Sequence, residues 1–226
     1  MIYLNLKNIS LQQYQYLSND RSEYDVETGD DGNWLKLGNN DDDYYSEFQV
    51  NEQWPTIQNV ISKNLFVGWN RKLHPTWECM QYAIAQIAIK NKTISGPLVQ
   101  GQTIQIYKSS TGIDPNAAKI GIRYLITSLQ NGDPVIVGVD DQNGSPNLDN
   151  TTDHFIVIVG MGSDSGGKYF IFYDNASGDP IQGTNDNNKL YYKEAEGKIT
   201  GKSQTDYAKM NNRYDYIVTQ IRKNKK

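Results

Sequence analysis

The chain has 226 residues and a formal net charge of −4, enough length for one large domain or a domain with an extension and for a substantial buried core. The mildly acidic balance speaks against a nucleic-acid partner, which would require a basic face. A single cysteine, Cys79, excludes an internal disulfide and a multi-cysteine zinc site.

Residues 1–55 are polar, with acidic runs at Asp30 and Asp31 and at Asp41, Asp42 and Asp43. They also carry Tyr14, Tyr16, Tyr24, Trp34, Tyr44, Tyr45, Phe48 and Trp54. Disordered segments are poor in aromatic residues. This stretch is therefore expected to be an extension packed on the core, with strand-like pieces at 34–37 and 44–50. The first residues lack a basic start followed by an apolar core, so no Sec signal peptide is expected. No apolar run approaches the roughly 20 residues that span a bilayer. The expected protein is soluble, without membrane insertion, and is cytoplasmic or exported by a signal-independent route.

The remaining residues, 56–226, read as the main domain. A short helix is expected over 56–63. A clearer one follows Thr76, which can act as N-cap, and its apolar stripe of Met80, Ala83, Ile84, Ile87 and Ala88 marks a buried face. It should stop near Asn91. A second helix is bounded by Asp114 as N-cap, Pro115 at the first helical position, and the stop signal Asn131-Gly132. Strands are expected at 135–139, 154–160, 169–174, 190–193 and 214–221, with a hairpin turn within 162–167. Helices followed by a run of antiparallel strands make an α+β pattern.

Three positions in this layout carry chemistry. Cys79 lies where a helix begins, and the positive end of the peptide dipoles favours a thiolate there. His154 opens a strand, its side chain on the face shared by Ile156 and Ile158. Asp174 ends the next strand, where a hairpin would bring it close to His154. Asn175, one residue on, is the alternative, since an amide oxygen also accepts from an imidazole N–H. Nucleophile, base and orienter thus occur in that order. Asp153 adjoins His154 but points to the other side of the strand. The loop over 140–153 is rich in oxygen ligands that would suit calcium; the plainer reading is a turn-rich rim leading into the histidine strand.

Four stretches together resemble papain-like cysteine peptidases, most of all their bacterial C39-like branch. They are Trp77-Glu78-Cys79-Met80-Gln81-Tyr82-Ala83, the run from Leu129 through Gly132-Asp133-Pro134 to Val137, Asp153-His154-Phe155-Ile156-Val157, and Phe172-Tyr173-Asp174-Asn175-Ala176. The resemblance covers roughly residues 70–180. It implies a papain-like α+β fold in which a central N-terminal helix bearing the cysteine packs on an antiparallel sheet. It also implies Cys79 as nucleophile, His154 as base and Asp174 as orienter, with no metal or organic cofactor. Such enzymes usually place a Gln about six residues before the cysteine to donate to the oxyanion. Here Leu73 stands at that position, so Asn70 or His74 would have to donate alongside the Cys79 backbone N–H.

The expected function is a cysteine hydrolase of amide bonds, acting on peptidoglycan peptides as a secreted interbacterial effector. Its partners would be a peptide or peptidoglycan substrate and an immunity or inhibitor protein. The alternatives are a protein or leader-peptide cysteine peptidase and a catalytically inactive papain-like binding module. A transglutaminase-like acyl transferase would use the same three residue types.

Overall fold

The computed structural model describes residues 54–94, 101–141, 145, 147–210, 212 and 215–225. The expected extension over 1–55 lies outside the described residues except for Trp54 and Pro55, and so do its strand-like pieces at 34–37 and 44–50. Among the described residues there are four α-helices: α1 Cys79–Ala88, α2 Pro115–Gln130, α3 Pro180–Gly183 and α4 Asp206–Met210. The strands are β1 Thr103–Gln105, β2 Tyr107–Lys108, β3 Gly112–Ile113, β4 Val135–Asp140, β5 His154–Asp164, β6 Gly167–Tyr173, β7 Lys189–Lys193, β8 Lys198–Lys202 and β9 Asp215–Arg222. No described helix is long and apolar enough to cross a membrane.

The sheet closes on itself. Strands β4, β5, β6, β7 and β8 follow one another in antiparallel pairs, and β9 pairs with both ends of the run, with β4 on one side and β8 on the other. The result is a closed six-stranded antiparallel β-barrel, with β1 added outside on β9. This overturns the expected papain-like α+β fold with a central cysteine-bearing helix packed on an antiparallel sheet: strands dominate, and the barrel, not the helix, is the organising element. Two causes lie behind the difference. The strand at 198–202 carries little apolar signal and was not expected, which left the last strand without a partner to close on. Register shifts between Gly138 and Val139 and between Ile158 and Gly160 then bend β4 and β5, and bends of this kind turn an open sheet into a barrel.

Strand alternation sorts the core into two faces. Val135, Val137, Val139, Ile156, Ile158, Phe170, Phe172, Leu190, Ile199, Tyr216 and Val218 form one cluster, joined by the apolar residues of α2. The opposite face of β4 to β6 presents Ile136, Phe155, Val157, Val159 and Tyr173, and α1 packs there through Ala83 and Ile87. Burying one such aliphatic side chain contributes about 1.5–3 kcal/mol. Of the stripe expected for α1, Ala83 and Ile87 are buried, Met80 and Ile84 half-buried and Ala88 exposed, while Tyr82 and Gln86 are buried in addition.

Local signals hold well for α2. Asp114 Oδ1 accepts from the N–H groups of Asn116 and Ala117, and Gly132 takes the left-handed φ of 78° that ends the helix. The helix expected over 56–63 is absent. Ile57 instead exchanges backbone hydrogen bonds with Met161, Val60 N–H donates to Val159, and only Lys63–Leu65 forms a 3-10 turn. Trp54 anchors the start of this segment, its Nε1 donating to the Gly162 carbonyl at 2.8 Å. The β5–β6 hairpin turns within the expected range, at Ser165 and Gly166.

Gly201 sits in the seam where β8 meets both β7 and β9. A Cβ there would lie 1.9 Å from the Lys189 carbonyl oxygen. Gly201→Ala is therefore expected to destabilise the protein by about 1–3 kcal/mol in urea unfolding. An unchanged midpoint would show that the seam is not tightly packed.

Candidate active site

The site is built from the start of α1. Glu78, not Thr76, is the N-cap, and Cys79 is the first helical residue. Gln81 reaches back so that its Oε1 accepts from the Glu78 N–H at 2.9 Å. The Glu78 carboxylate pairs with Arg71 at 3.1 Å, and Arg71 also donates to the Pro75 carbonyl. At this first position the Cys79 N–H has no carbonyl of its own helix within reach.

The loop before Cys79 is held from two sides. Trp69 N–H donates to the Ser177 carbonyl, and Asn70 N–H donates to the Tyr82 hydroxyl at 3.0 Å. Gln86, buried in α1, accepts from the Val67 N–H and donates to the Leu65 carbonyl. Asn70 Oδ1 accepts from the Leu73 N–H, which commits this side chain to a local turn. His74 stacks on Trp77 with ring centroids 3.6 Å apart, beside Tyr82, and its partial burial lowers its pKa from the ordinary 6.5. The two residues expected as oxyanion donors are thus a turn cap and a member of an aromatic stack.

His154 is the first residue of β5, and Asp174 follows the last residue of β6. In the ladder Val157 faces Tyr173, which puts Asp174 diagonal to His154 past the strand end. His154 Nε2 lies 2.8 Å from Asp174 Oδ1, and the Cys79 side chain is close enough to the imidazole to help raise its pKa. The structure therefore brings together the three residues that sequence placed 75 and 20 positions apart (79 to 154, 154 to 174). Of Asp174 and Asn175, it is Asp174 that meets the imidazole. Asp153 turns away, its Oδ2 accepting from the Asp141 N–H.

Asp174 is fully buried, and four donors meet it. His154 Nε2 and the Ala176 N–H, at 2.9 Å, share Oδ1; the Ser203 hydroxyl at 2.5 Å and the Tyr216 hydroxyl at 2.9 Å share Oδ2. Burial alone would raise this carboxyl, but the His154 charge and these hydrogen bonds outweigh it and hold it below the ordinary 3.8. Burial likewise disfavours the imidazolium, yet the Asp174 charge and the bonds to Asp174 and Cys79 place His154 well above 6.5. Burial and Asp174 together push the Tyr216 hydroxyl well up, so it stays a donor.

Ser203 and Tyr216 escaped the reading of the sequence. Tyr216 gave a faint signal, as a hydroxyl on the apolar face of the last strand must find a partner. Ser203, just past β8, gave none. Asn175 takes a different part from the one expected: its Nδ2 donates to the carbonyls of Cys79 at 2.9 Å and Phe155 at 3.0 Å.

The loop leading into β5 is built around Asp149. Its carboxylate accepts from the N–H groups of Thr151 and Thr152, the Thr152 hydroxyl, and the side-chain amides of Gln105 and Gln220. Those oxygens serve the protein's own donors, which fits the plainer reading of a rim. Among the described residues no group of three or more His, Cys, Asp or Glu could hold a metal. No family model, curated protein or solved structure matches this chain.

Two predictions follow from the charge arrangement. In Asp174→Asn, burial of the imidazole loses its main opponent. His154 is then expected to titrate at about 6.5 or below by NMR, which is straightforward to assign with only two histidines in the chain. A value still well above 6.5 would remove Asp174 as the cause. For stability, Asp174 has a depressed pKa, so its contribution is present above 3.8 and lost as pH falls through the folded value. His154 has a raised pKa, so its contribution is complete below 6.5 and lost as pH rises through the folded value. Replacing His154 by Leu should therefore cost most between these limits, about 3–5 kcal/mol near pH 5, with the deficit shrinking on both sides. A deficit independent of pH would mean that packing, not charge, is what the variant loses.

Proposed function

We propose that this chain is a cysteine hydrolase of amide bonds. The observation that carries the reading is the His154 imidazole, placed between the Cys79 side chain and the buried Asp174 carboxylate and held well above its ordinary pKa. A cationic imidazole beside a sulfur favours the thiolate, which is the reactive form of cysteine. The resemblance to papain-like peptidases enters as this order of residues, carried here on a barrel.

The reaction runs in two halves. The Cys79 thiolate attacks the substrate carbonyl, a C–S bond forms, and the oxyanion takes a hydrogen bond from the Cys79 N–H at the start of α1. The His154 imidazolium gives its proton to the leaving nitrogen as the C–N bond breaks, leaving a thioester and a neutral imidazole. Water then gives a proton to His154 and attacks the thioester. The C–S bond breaks, the carboxylic acid leaves, and Cys79 is again a thiolate beside the protonated His154. Asp174 keeps Nε2 occupied throughout, so that the other ring nitrogen faces the sulfur.

For substrate, the proposal is the peptides of peptidoglycan, reached as a secreted interbacterial effector with an immunity or inhibitor protein as its partner. Export of the chain to the periplasm of a test bacterium should then cause lysis that Cys79→Ala abolishes. Cleavage of unfolded peptides without an effect on the wall would favour the protein or leader-peptide peptidase instead.

The first experiment is the rate of Cys79 alkylation by iodoacetamide against pH. Wild type should label fast well below pH 7, and His154→Ala should lose that acid-side labelling. Two matching profiles that rise only near pH ~8.5, the value of a free thiol, would dismiss the hydrolase reading in favour of a binding module.

A further inference from the structure

We infer that Asn175 is the positioning residue that sets the distance between Cys79 and His154, an inference that rests on the cysteine hydrolase reading. Its Nδ2 carries two protons, and both are used. One goes to the carbonyl of Cys79 itself, at 2.9 Å, and the other to the carbonyl of Phe155, the residue after His154, at 3.0 Å. A single side-chain atom thus ties the first residue of α1 to the first residues of β5.

The connection matters because α1 and the barrel otherwise meet through side chains such as Ala83, Ile87, Phe155 and Val157, which fix a face but slide along it. Apolar packing is non-directional. A hydrogen bond is not, and it loses strength steeply as its angle departs from linear. Among uncharged side chains, only a primary amide offers two donors from one atom to two carbonyl oxygens. A carboxylate would set its own oxygens against them, and a hydroxyl would satisfy one of the two.

The cost of this arrangement is visible. Asn175 is 3 % exposed, and its Oδ1 is buried with no hydrogen-bond partner among the described residues. An asparagine kept for its acceptor would not be left in that condition; the donors are what the site uses. The neighbouring residue completes the device. Asp174 holds the imidazole at Nε2, and Asn175 holds the backbone of the nucleophile, so two consecutive residues past β6 fix base and nucleophile against each other.

The test uses the full chain and reads the pH profile of Cys79 alkylation together with the melting temperature. In Asn175→Leu and Asn175→Asp, a folded protein is expected whose His154-dependent labelling near pH 6 is roughly 10–100-fold slower than wild type, the scale set by a misplacement of about 1 Å. A folded variant with the wild-type profile overturns the proposal. Should neither variant fold, wild type decides by NMR. Both Asn175 carboxamide protons should then be protected from solvent exchange and should shift when Cys79 is carboxymethylated, whereas rapid exchange or unmoved signals would overturn the assignment. The alkylation profiles of wild type and His154→Ala judge the hydrolase reading. If it fails there, the carboxamide measurement still reports whether the tie exists.

Discussion

The buried carboxylate of Asp174 is the constraint on which the rest of this structure turns. A charge removed from water is tolerable only when it is paired and every lone pair is met. Asp174 meets that demand with His154, Ala176, Ser203 and Tyr216. None of these is interchangeable with a solvent contact, because the residue has no exposed surface. The pair is thus both a structural requirement and the source of the raised imidazole pKa.

Closure of the barrel and completion of the site are one event. Ser203 stands directly after β8 and Tyr216 lies on β9, the two strands whose pairing shuts the barrel. His154 comes from β5, on the other side of β4 from β9. An open sheet would hold His154 near Asp174 through the β5–β6 ladder alone and would leave Oδ2 without its two hydroxyl donors. The four donors converge only when the last strand has joined the first and last members of the run. Loop segments finish the enclosure: the Asp149 network fixes the chain that enters β5, and the contacts of Trp69 and Gln86 fix the chain that enters α1.

Cys79 arrives from outside this closed unit. Helix α1 packs on the face of β4 to β6 opposite the barrel interior, and its first residue reaches the end of β5. Helix docking supplies the general placement. The directional bonds of Asn175 and Gln86 supply the fine placement. The division is physical, since apolar burial is large and tolerant of small displacement, while hydrogen bonds are weaker and geometrically strict.

Local chemistry was legible in the chain wherever one segment decides the outcome by itself. The Asp114 cap, Pro115 and Asn131-Gly132 fixed α2, the apolar stripe marked part of the buried side of α1, at Ala83 and Ile87 but not at the exposed Ala88, and alternation put His154 on the face of Ile156. The order cysteine, histidine, aspartate pointed to the three residues that meet. What failed depended on distant partners. The segment over 56–63 had the composition of a short helix but gained more by pairing with β5, and the polar strand β8 exists because β7 and β9 flank it. The barrel, the hydroxyls of Ser203 and Tyr216, and the two donor bonds of Asn175 belong to that second class. A sequence records caps, stripes and alternation because those are set within a few residues; it does not record which strand ends meet, since that is decided by closing long loops against the energy of a shared core.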